Sequence, residues 1–488
     1  MTRRQRLTLI AAILGSGVAA IDGTIVNVAL PSIERDLGGG LAAQQWISNG
    51  YLLTLSSLIL IGGSLGDIYG ERRIFSIGLA AFGVFSIVCA AAPTIGVLLA
   101  ARALQGAAGA LLMPSSLAVI VGAFAERERG KAIGAWTAWG AIFTIVGPLA
   151  GGAIVDSASW RWIFAINPPL IAVTLILVLM AVPPAPQVRR RSVDVLGAGL
   201  CGAGLAGIAF ALIEQPHYGW GSPAILLPLI LGGISFALFL AYERRARDPM
   251  LKLDLFRLRN FSIGNLETLA MYAGLTSLFF FLVIFLQQVA GYSALASGLS
   301  TLPVTIVMFT LSRRFGALAD RYGPRMFMGV GPLIAAGGIL LLLRTGIHTS
   351  YLTDLLPGLV VFGLGLSMTV APLTATVLAD AGEDDAGIAS AINNAVARLA
   401  GLLGVSVIGL IAASTLMGDT FVRNADSVRA FHNALIICAV LVAAGGLTAA
   451  IGIVNPSRRL RAQECPGGQL VSIPKQAAGC PEEQPVAA

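Results

Sequence analysis

Long apolar runs, separated by short polar segments, fill almost the whole chain. The runs do not alternate between apolar and polar positions, so they predict membrane-spanning helices rather than the strands of an outer-membrane barrel. A helix needs about 20 apolar residues to cross a bilayer. On that measure the chain contains fourteen predicted spans, at 7–30, 43–66, 74–92, 97–123, 131–156, 162–182, 195–213, 223–243, 260–290, 295–315, 326–344, 353–379, 387–414 and 432–454.

The composition supports an all-α membrane protein. Of the 488 residues, 56% are hydrophobic and 12% are charged, whereas soluble domains carry roughly 25% charged residues. The 58 glycines suit closely packed membrane helices. The five cysteines form no CxxC or metal-ligand spacing, and the chain has no P-loop or HExxH motif. We therefore predict no metal, no cofactor and no enzymatic activity, and a proton gradient rather than bound ATP as the energy source.

Basic residues are concentrated in the loops on one side of the predicted bundle. Most of the 32 Lys and Arg residues fall within or beside 3–6, 72–73, 127–131, 189–191, 244–259, 313–325 and 458–461. The positive-inside rule then places both termini in the cytoplasm. This bias accounts for the pI near 9.4 without a nucleic-acid partner. The first apolar run is too long for a signal peptide, so we expect an uncleaved span.

Two loops on that basic side carry the same pattern. The sequences GSLGDIYGERR (63–73) and GALADRYGPR (316–325) share G-x-L-x-D-x-Y-G followed by basic residues. Internal repeats of this kind are typical of transporters in which one half rocks against the other. We predict a conformational latch made of Gly63, Asp67, Gly70, Arg72, Gly316, Asp320, Arg321, Gly323 and Arg325; the alternative is a simple basic turn.

The repeat also predicts the domain organisation. Residues 1–182 would form an N-terminal six-helix bundle and 260–454 a C-terminal six-helix bundle. Residues 183–259 would be a linker with two extra spans, and 455–488 a disordered cytoplasmic tail.

Several charged residues lie inside apolar spans, and two of them lie at a similar depth. Asp22 is in span 1 and Arg102 in span 4. Counted along their helices, the two lie about 12 and 8 Å below the outer surface, and Gly147–Pro148 of span 5 is at a similar level. A charged group at such a depth is tolerated when it faces a bundle interior or a wet cavity. The three signals therefore predict one functional layer in the outer half of the first six spans.

These motifs resemble the major facilitator superfamily, and specifically its fourteen-helix drug:proton antiporters, over about 1–455. The resemblance rests on DGTIVNVALP (22–31), RALQGAAGA (102–110), Gly140 with GPLAGG (147–152), and WRWIFAINP (160–168). One departure is that Ile68 and Glu71 stand where the first loop motif usually has basic residues. The resemblance implies proton coupling at Asp22 and Arg102, and a helix kink at Gly147, Pro148, Gly151 and Gly152.

Each assignment has a structural alternative. Asp22 could instead make a static hydrogen bond near Thr24 or Asn27, and Arg102 could pair with Gln105 or with backbone carbonyls. The glycines of span 5 could serve close packing alone. We assign the substrate cavity to Asn27, Gln105, Trp136, Trp139, Tyr272, Phe279 and Arg398, although aromatic residues are also common in membrane helices as plain packing. We expect Glu267 and Glu214 to snorkel to an interface.

The sequence thus predicts a proton-coupled exporter of amphipathic, often cationic, drugs or toxic metabolites. It would act as a monomer in a bacterial inner membrane, with a small-molecule substrate, protons and the lipid bilayer as its partners. The alternatives are a dedicated exporter of one metabolite, lipid or siderophore, an importer, or a non-transporting sensor. A membrane enzyme would need a polar cluster at an interface, which the sequence does not show.

Overall fold

The computed structural model describes residues 1–183, 194–246, 249–416 and 418–455, and all the regular structure in these ranges is helical. Fourteen helices are long and apolar enough to cross a membrane, as predicted. Spans 1 to 14 are Arg3–Leu37, Gly40–Tyr69, Glu71–Ala90, Ile95–Ala123, Arg127–Ser157, Trp162–Ala181, Val195–Tyr218, Pro223–Glu243, Arg259–Gln288, Ala294–Tyr322, Pro324–Arg344, Tyr351–Ala379, Gly387–Ala413 and Ala425–Gly452. The basic segment at 189–191 and the predicted tail beyond 455 lie outside the described residues.

Several spans are not single regular helices. Span 6 is divided into Trp162–Ala165 and Asn167–Ala181, and span 10 into Ala294–Ser300 and Leu302–Tyr322. In both spans the second piece has proline at one of its first two positions, where the missing N–H costs no helical hydrogen bond. Span 12 opens with a π-helical turn, Tyr351–Leu355, and spans 12 and 13 share one continuous helical segment, Leu356–Ala413.

The ends of the spans define two sides of the bundle. The start of span 1 is joined to the ends of spans 4 and 6, because the Gln5 side chain donates to the carbonyl of Ala123 and Arg4 Nε donates to that of Ala181. We call this the proximal side and the opposite one the distal side. Proximal is the side that the charge pattern predicts to be cytoplasmic.

The two similar loops adopt the same backbone turn. Gly70 (φ 89°, ψ 130°) lies between spans 2 and 3, and Gly323 (φ 91°, ψ 147°) lies between spans 10 and 11. Only glycine enters this positive-φ region without strain. The turn therefore explains why both copies of the motif have glycine at this position.

The two inserted spans pack against each other, and span 7 lies beside the seam between the first six and the last six spans. Leu205 of span 7 packs in one apolar cluster with Leu52 of span 2 and Leu402 of span 13. At the distal end of span 7, Glu214 accepts a hydrogen bond of 2.8 Å from the Trp46 indole of span 2. Span 7 thus contacts both sets of six spans.

The first six and last six spans are held together on the distal side. Gln45 donates to the carbonyl of Val405 at 2.7 Å, and Asn49 donates to the hydroxyl of Ser406 at 3.0 Å. The Asp156 carboxylate accepts bonds from the backbone N–H groups of Ala294 and Leu295. In the described part of the chain, all the hydrogen bonds that join the two sets lie in the distal half of the bundle, so this conformation is closed distally.

Candidate functional site

A polar network inside the first six spans surrounds Asp22. Its carboxylate is fully buried and lies 2.5 Å from Arg102 Nη1. Two amide groups also donate to it: Gln105 Nε2 at 3.0 Å and Asn167 Nδ2 at 3.1 Å. The structure therefore joins the two charged residues that the sequence placed in one layer. A carboxylate that accepts three bonds from such donors is well suited to carry its negative charge here.

Arg102 is fixed by partners on several helices. Its Nη1 also donates to Gln105 Oε1 at 2.7 Å, and its Nε donates to the carbonyl of Ile47 at 3.2 Å. The guanidinium lies over the Tyr51 ring, 4.4 Å from the ring centre. The alternative partners that the sequence suggested, Gln105 and a backbone carbonyl, are thus present in addition to Asp22.

Two members of the network were not assigned a role from the sequence. The amide of Asn167, at the break in span 6, donates to both Asp22 and the hydroxyl of Ser86 in span 3, the latter at 3.2 Å. Gln105 also donates to Ser86, at 2.8 Å. Asn167 lies in the motif at 160–168, where its position before Pro168 was the available signal. Gln105 itself is fully buried in this network, so its assignment to the substrate cavity has no support in this conformation.

The glycines of span 5 make close packing possible on two sides. A Cβ on Gly147 would lie 2.1 Å from the Thr24 hydroxyl, and one on Gly151 would lie 2.4 Å from Ile25, both in span 1. A Cβ on Gly152 would lie 2.5 Å from Leu295 Cα in span 10. Span 5 is continuously helical through Pro148, so the kink expected at Gly147–Pro148 does not interrupt the helix. A proline can be accommodated in a membrane helix when neighbouring groups satisfy the carbonyl that it frees.

The aromatic candidates for the substrate cavity have different surroundings. Trp136 packs with Phe143 against a buried cluster formed by spans 1, 4 and 5. Trp139 is 48% exposed. Phe279 packs edge-on against Phe362, with ring centres 6.1 Å apart. The side chain of Asn27 accepts a hydrogen bond from Ser48 at 3.3 Å. Both tryptophans thus lie beside Phe143, whereas Phe279 and Asn27 have other partners.

Arg398 differs from Arg102 in lacking a partner. Within the described residues its guanidinium makes no ion pair and no hydrogen bond, and its Nε is buried. The side chain as a whole is partly exposed. The hydroxyl groups of Tyr51 and Tyr272 lie within electrostatic range of it. Arg398 and Tyr272, both assigned to the cavity from sequence, thus interact electrostatically.

One of two expectations for acidic residues needs correction. Glu267 of span 9 does not reach an interface: its side chain is fully buried, and neither carboxylate oxygen has a hydrogen-bond partner in the described structure. Glu214 is partly exposed near the distal end of span 7 and also bonds to Trp46, which is compatible with its expected position at an interface. The orientation of span 9, which the apolar sequence around Glu267 does not specify, decides the environment of that carboxyl group.

The arginines of the predicted latch bind within their own set of spans. Arg72 donates to the carbonyl of Leu179 in span 6 at 2.8 Å. Arg325 donates to the carbonyl of Ala450 in span 14 at 2.7 Å. Asp67 and Asp320 are exposed, and neither forms an ion pair within the described part of the chain. Arg321 lies over the Tyr322 ring. An alanine at Gly63 or Gly316 would place its Cβ in ordinary van der Waals contact, at 3.6 and 3.7 Å from the nearest atom.

Comparison with known proteins supports a transporter. The model of the Major Facilitator Superfamily matches residues 12–405. The chain is 35% identical over 417 residues to the "Multidrug resistance protein Stp" of Mycobacterium tuberculosis (strain CDC 1551 / Oshkosh), covering 85% of this chain and 77% of that protein. It is 33% identical over 419 residues to the "Tetracenomycin C resistance and export protein" of Streptomyces glaucescens, covering 85% of this chain and 77% of that protein.

Solved structures show the same fold. A D-xylose–proton symporter superposes with a TM-score of 0.63 at 17% identity, covering 92% of this chain and 98% of that one. A bacterial homologue of the human lysosomal transporter Spinster, in an inward-facing conformation, superposes with a TM-score of 0.62 at 16% identity. The superposition covers 93% of this chain and 96% of that one. With the fourteen spans and the matched family model, these findings establish that the chain is a multi-pass membrane protein of the Major Facilitator Superfamily.

Proposed function

We propose that this protein exports amphipathic drugs or toxic metabolites in exchange for protons, by alternating access. The observation that carries the proposal is the buried Asp22 carboxylate, held by Arg102, Gln105 and Asn167 in spans 4 and 6. The curated relatives include multidrug and antibiotic resistance proteins, which supports export of such compounds.

The role of Asp22 is to take up and release the proton. Arg102 stays charged at all relevant pH values, so it cannot carry the proton itself. It can stabilise the ionised carboxylate in the distally closed conformation. Protonation of Asp22 removes one charge of the buried pair, and Arg102 is then left uncompensated in an apolar environment. The protein would therefore favour another conformation, in which Arg102 is better solvated.

The contacts of span 1 supply a route from Asp22 to the distal seam. Thr24 and Ile25 follow Asp22 by less than one helical turn and pack against Gly147 and Gly151 of span 5. One residue further on, Gly152 contacts Leu295 of span 10. A shift of span 1 on protonation would thus be transmitted to the contact that closes the distal side.

The proposed orientation places the proximal side, with both termini, in the cytoplasm of a bacterial cell. The distally closed conformation is then inward-facing, as in the Spinster homologue, and would load substrate from the cytoplasm. The partners are a small-molecule substrate, protons and the lipid bilayer, and the protein would act as a monomer. A dedicated exporter of a single metabolite would use the same machinery, and a panel of substrates separates the two.

Transport in proteoliposomes tests the proposal. Efflux of rhodamine 123 and of fluorescein is measured with and without an imposed pH gradient, for the wild type and for Asp22→Asn. The gradient should drive transport of at least one dye in the wild type and none in Asp22→Asn. Glu267→Gln, a buried carboxyl outside the network, serves as the control and should remain coupled. Gradient-driven transport by Asp22→Asn would remove Asp22 from the mechanism.

A further inference from the structure

We infer that Arg398 is the centre of an anion-binding site at the seam between the first six and the last six spans. The ligand class is an amphipathic compound that carries an acidic group, such as a carboxylate or a phenolate. The inference rests on the proposed export function, but it differs from the cationic substrates that the family resemblance implies.

The first argument is the missing partner. Charged side chains in membrane spans face the bundle interior or a water-filled cavity, and they usually pair with other side chains or with backbone carbonyls. Arg102 follows this rule, with Asp22, Gln105 and a backbone carbonyl as partners. Arg398 does not, since no described residue accepts a hydrogen bond from its guanidinium. An arginine offers five donors in a planar fork that matches an acidic group, and it cannot lose its charge.

The second argument is position. Span 13 runs from the proximal side at Gly387 to the distal side at Ala413. Arg398 lies one helical turn proximal to Leu402, whose carbonyl accepts a hydrogen bond from Asn49 of span 2 in the distal seal. A further turn in the proximal direction, Asn394 is exposed on the same helix. Arg398 is therefore just beneath the seal, where a substrate that enters from the proximal side would stop.

The third argument is the connection to the proton site. The Tyr51 hydroxyl is buried without a hydrogen-bond partner, and Arg398, Arg102 and Asp22 all lie within electrostatic range of it. The Tyr51 ring also stacks on Arg102. Because Asp22 and Arg102 neutralise each other, Arg398 is the uncompensated charge among the three groups that interact with Tyr51. An acidic ligand is attracted to that charge, and a cationic ligand is repelled by it.

A binding assay with two dyes of opposite charge tests the inference without requiring transport. Fluorescein and rhodamine 123 share a xanthene ring system, and fluorescein is anionic at neutral pH whereas rhodamine 123 is cationic. Fluorescence anisotropy is measured with the purified full chain in nanodiscs. The wild type should bind fluorescein more tightly than rhodamine 123. Arg398→Gln should weaken fluorescein binding by about tenfold or more, the usual effect of losing a charged hydrogen-bond donor, and should not weaken rhodamine 123 binding.

Controls separate the site from general effects. Arg398→Lys keeps the charge and should retain most of the affinity for fluorescein. Arg423→Gln removes one positive charge at an exposed distal position and should leave binding of both dyes unchanged. Preference of the wild type for rhodamine 123, unchanged binding of fluorescein by Arg398→Gln, or equal loss of both dyes would each overturn the inference. Since no gradient is applied, a failure of proton coupling would not affect these results.

Discussion

Arg72 and Arg325 occupy equivalent places in the two sets of spans. Each follows a positive-φ glycine by two residues, and each donates to a backbone carbonyl in the last span of its own set, at Leu179 or Ala450. The internal repeat seen in the sequence is thus also a repeat of contacts. In the distally closed conformation these arginines stabilise each set of spans separately.

The turn glycines give a first prediction. Gly70→Ala and Gly323→Ala should each lower the free energy of unfolding by about 1–2 kcal/mol, because an L-residue is strained at positive φ. Thermal unfolding of the purified variants in detergent measures the effect. Gly316→Ala is the control, since its added Cβ makes only an ordinary contact with Ala371. A loss of stability in Gly316→Ala equal to that in Gly323→Ala would contradict the backbone explanation.

The buried ion pair gives a second prediction. Asp22→Asn should destabilise the protein by about 3–5 kcal/mol, because it leaves the Arg102 charge buried without its counter-ion. The double variant Asp22→Asn/Arg102→Gln should recover part of that stability but no proton-driven transport. Thermal unfolding and proteoliposome efflux are measured on the same preparations. The single variant Arg102→Gln completes the comparison. If the loss of stability in the double variant equalled the sum of the losses in the two single variants, Asp22 and Arg102 would not act as a unit.

The unpartnered carboxyl gives a third prediction. Glu267→Leu should keep or raise thermal stability, because it replaces two buried oxygens that lack hydrogen bonds with an apolar side chain of similar size. Asp22→Leu should lower it, because the donors of Arg102, Gln105 and Asn167 would lose their acceptor. If Glu267→Leu were as unstable as Asp22→Leu, Glu267 would have a stabilising partner that the distally closed conformation lacks.

The span 5 motif gives a fourth prediction. Gly152→Ala places a methyl group 2.5 Å from Leu295 Cα, so it should weaken distal closure and shift the population towards a distally open conformation. Gly96 and Ser350 are exposed at distal positions in the first and last six spans. Spin labels at these two positions should show a longer label-to-label distance in Gly152→Ala, measured by pulsed electron paramagnetic resonance. Gly140→Ala, whose added Cβ has nothing within 4 Å, should leave the distance distribution unchanged.

The sequence alone determined the number of spans and the depth of the charged residues within them. The bilayer thickness fixes how many apolar residues one crossing needs. The ends of each apolar run therefore mark the two membrane surfaces, and the depth of a residue follows from its distance to those ends. Asp22 and Arg102 could therefore be assigned to one layer before their contact was known. The paired loop motifs likewise predicted equivalent turns, because positive φ restricts those positions to glycine.

Only the tertiary structure decided which way each helix faces. A span that is apolar all round carries little information about its rotation, so Glu267 was expected at an interface and is instead buried. The same reason explains why Asn167 and Ser86 were not recognised as members of the Asp22 network, and why Gln105 belongs to that network in this conformation. The rotation of the helices also explains why the two arginines differ. Arg102 pairs with a carboxylate because spans 1 and 4 face each other, whereas Arg398 has no carboxylate partner among the described residues.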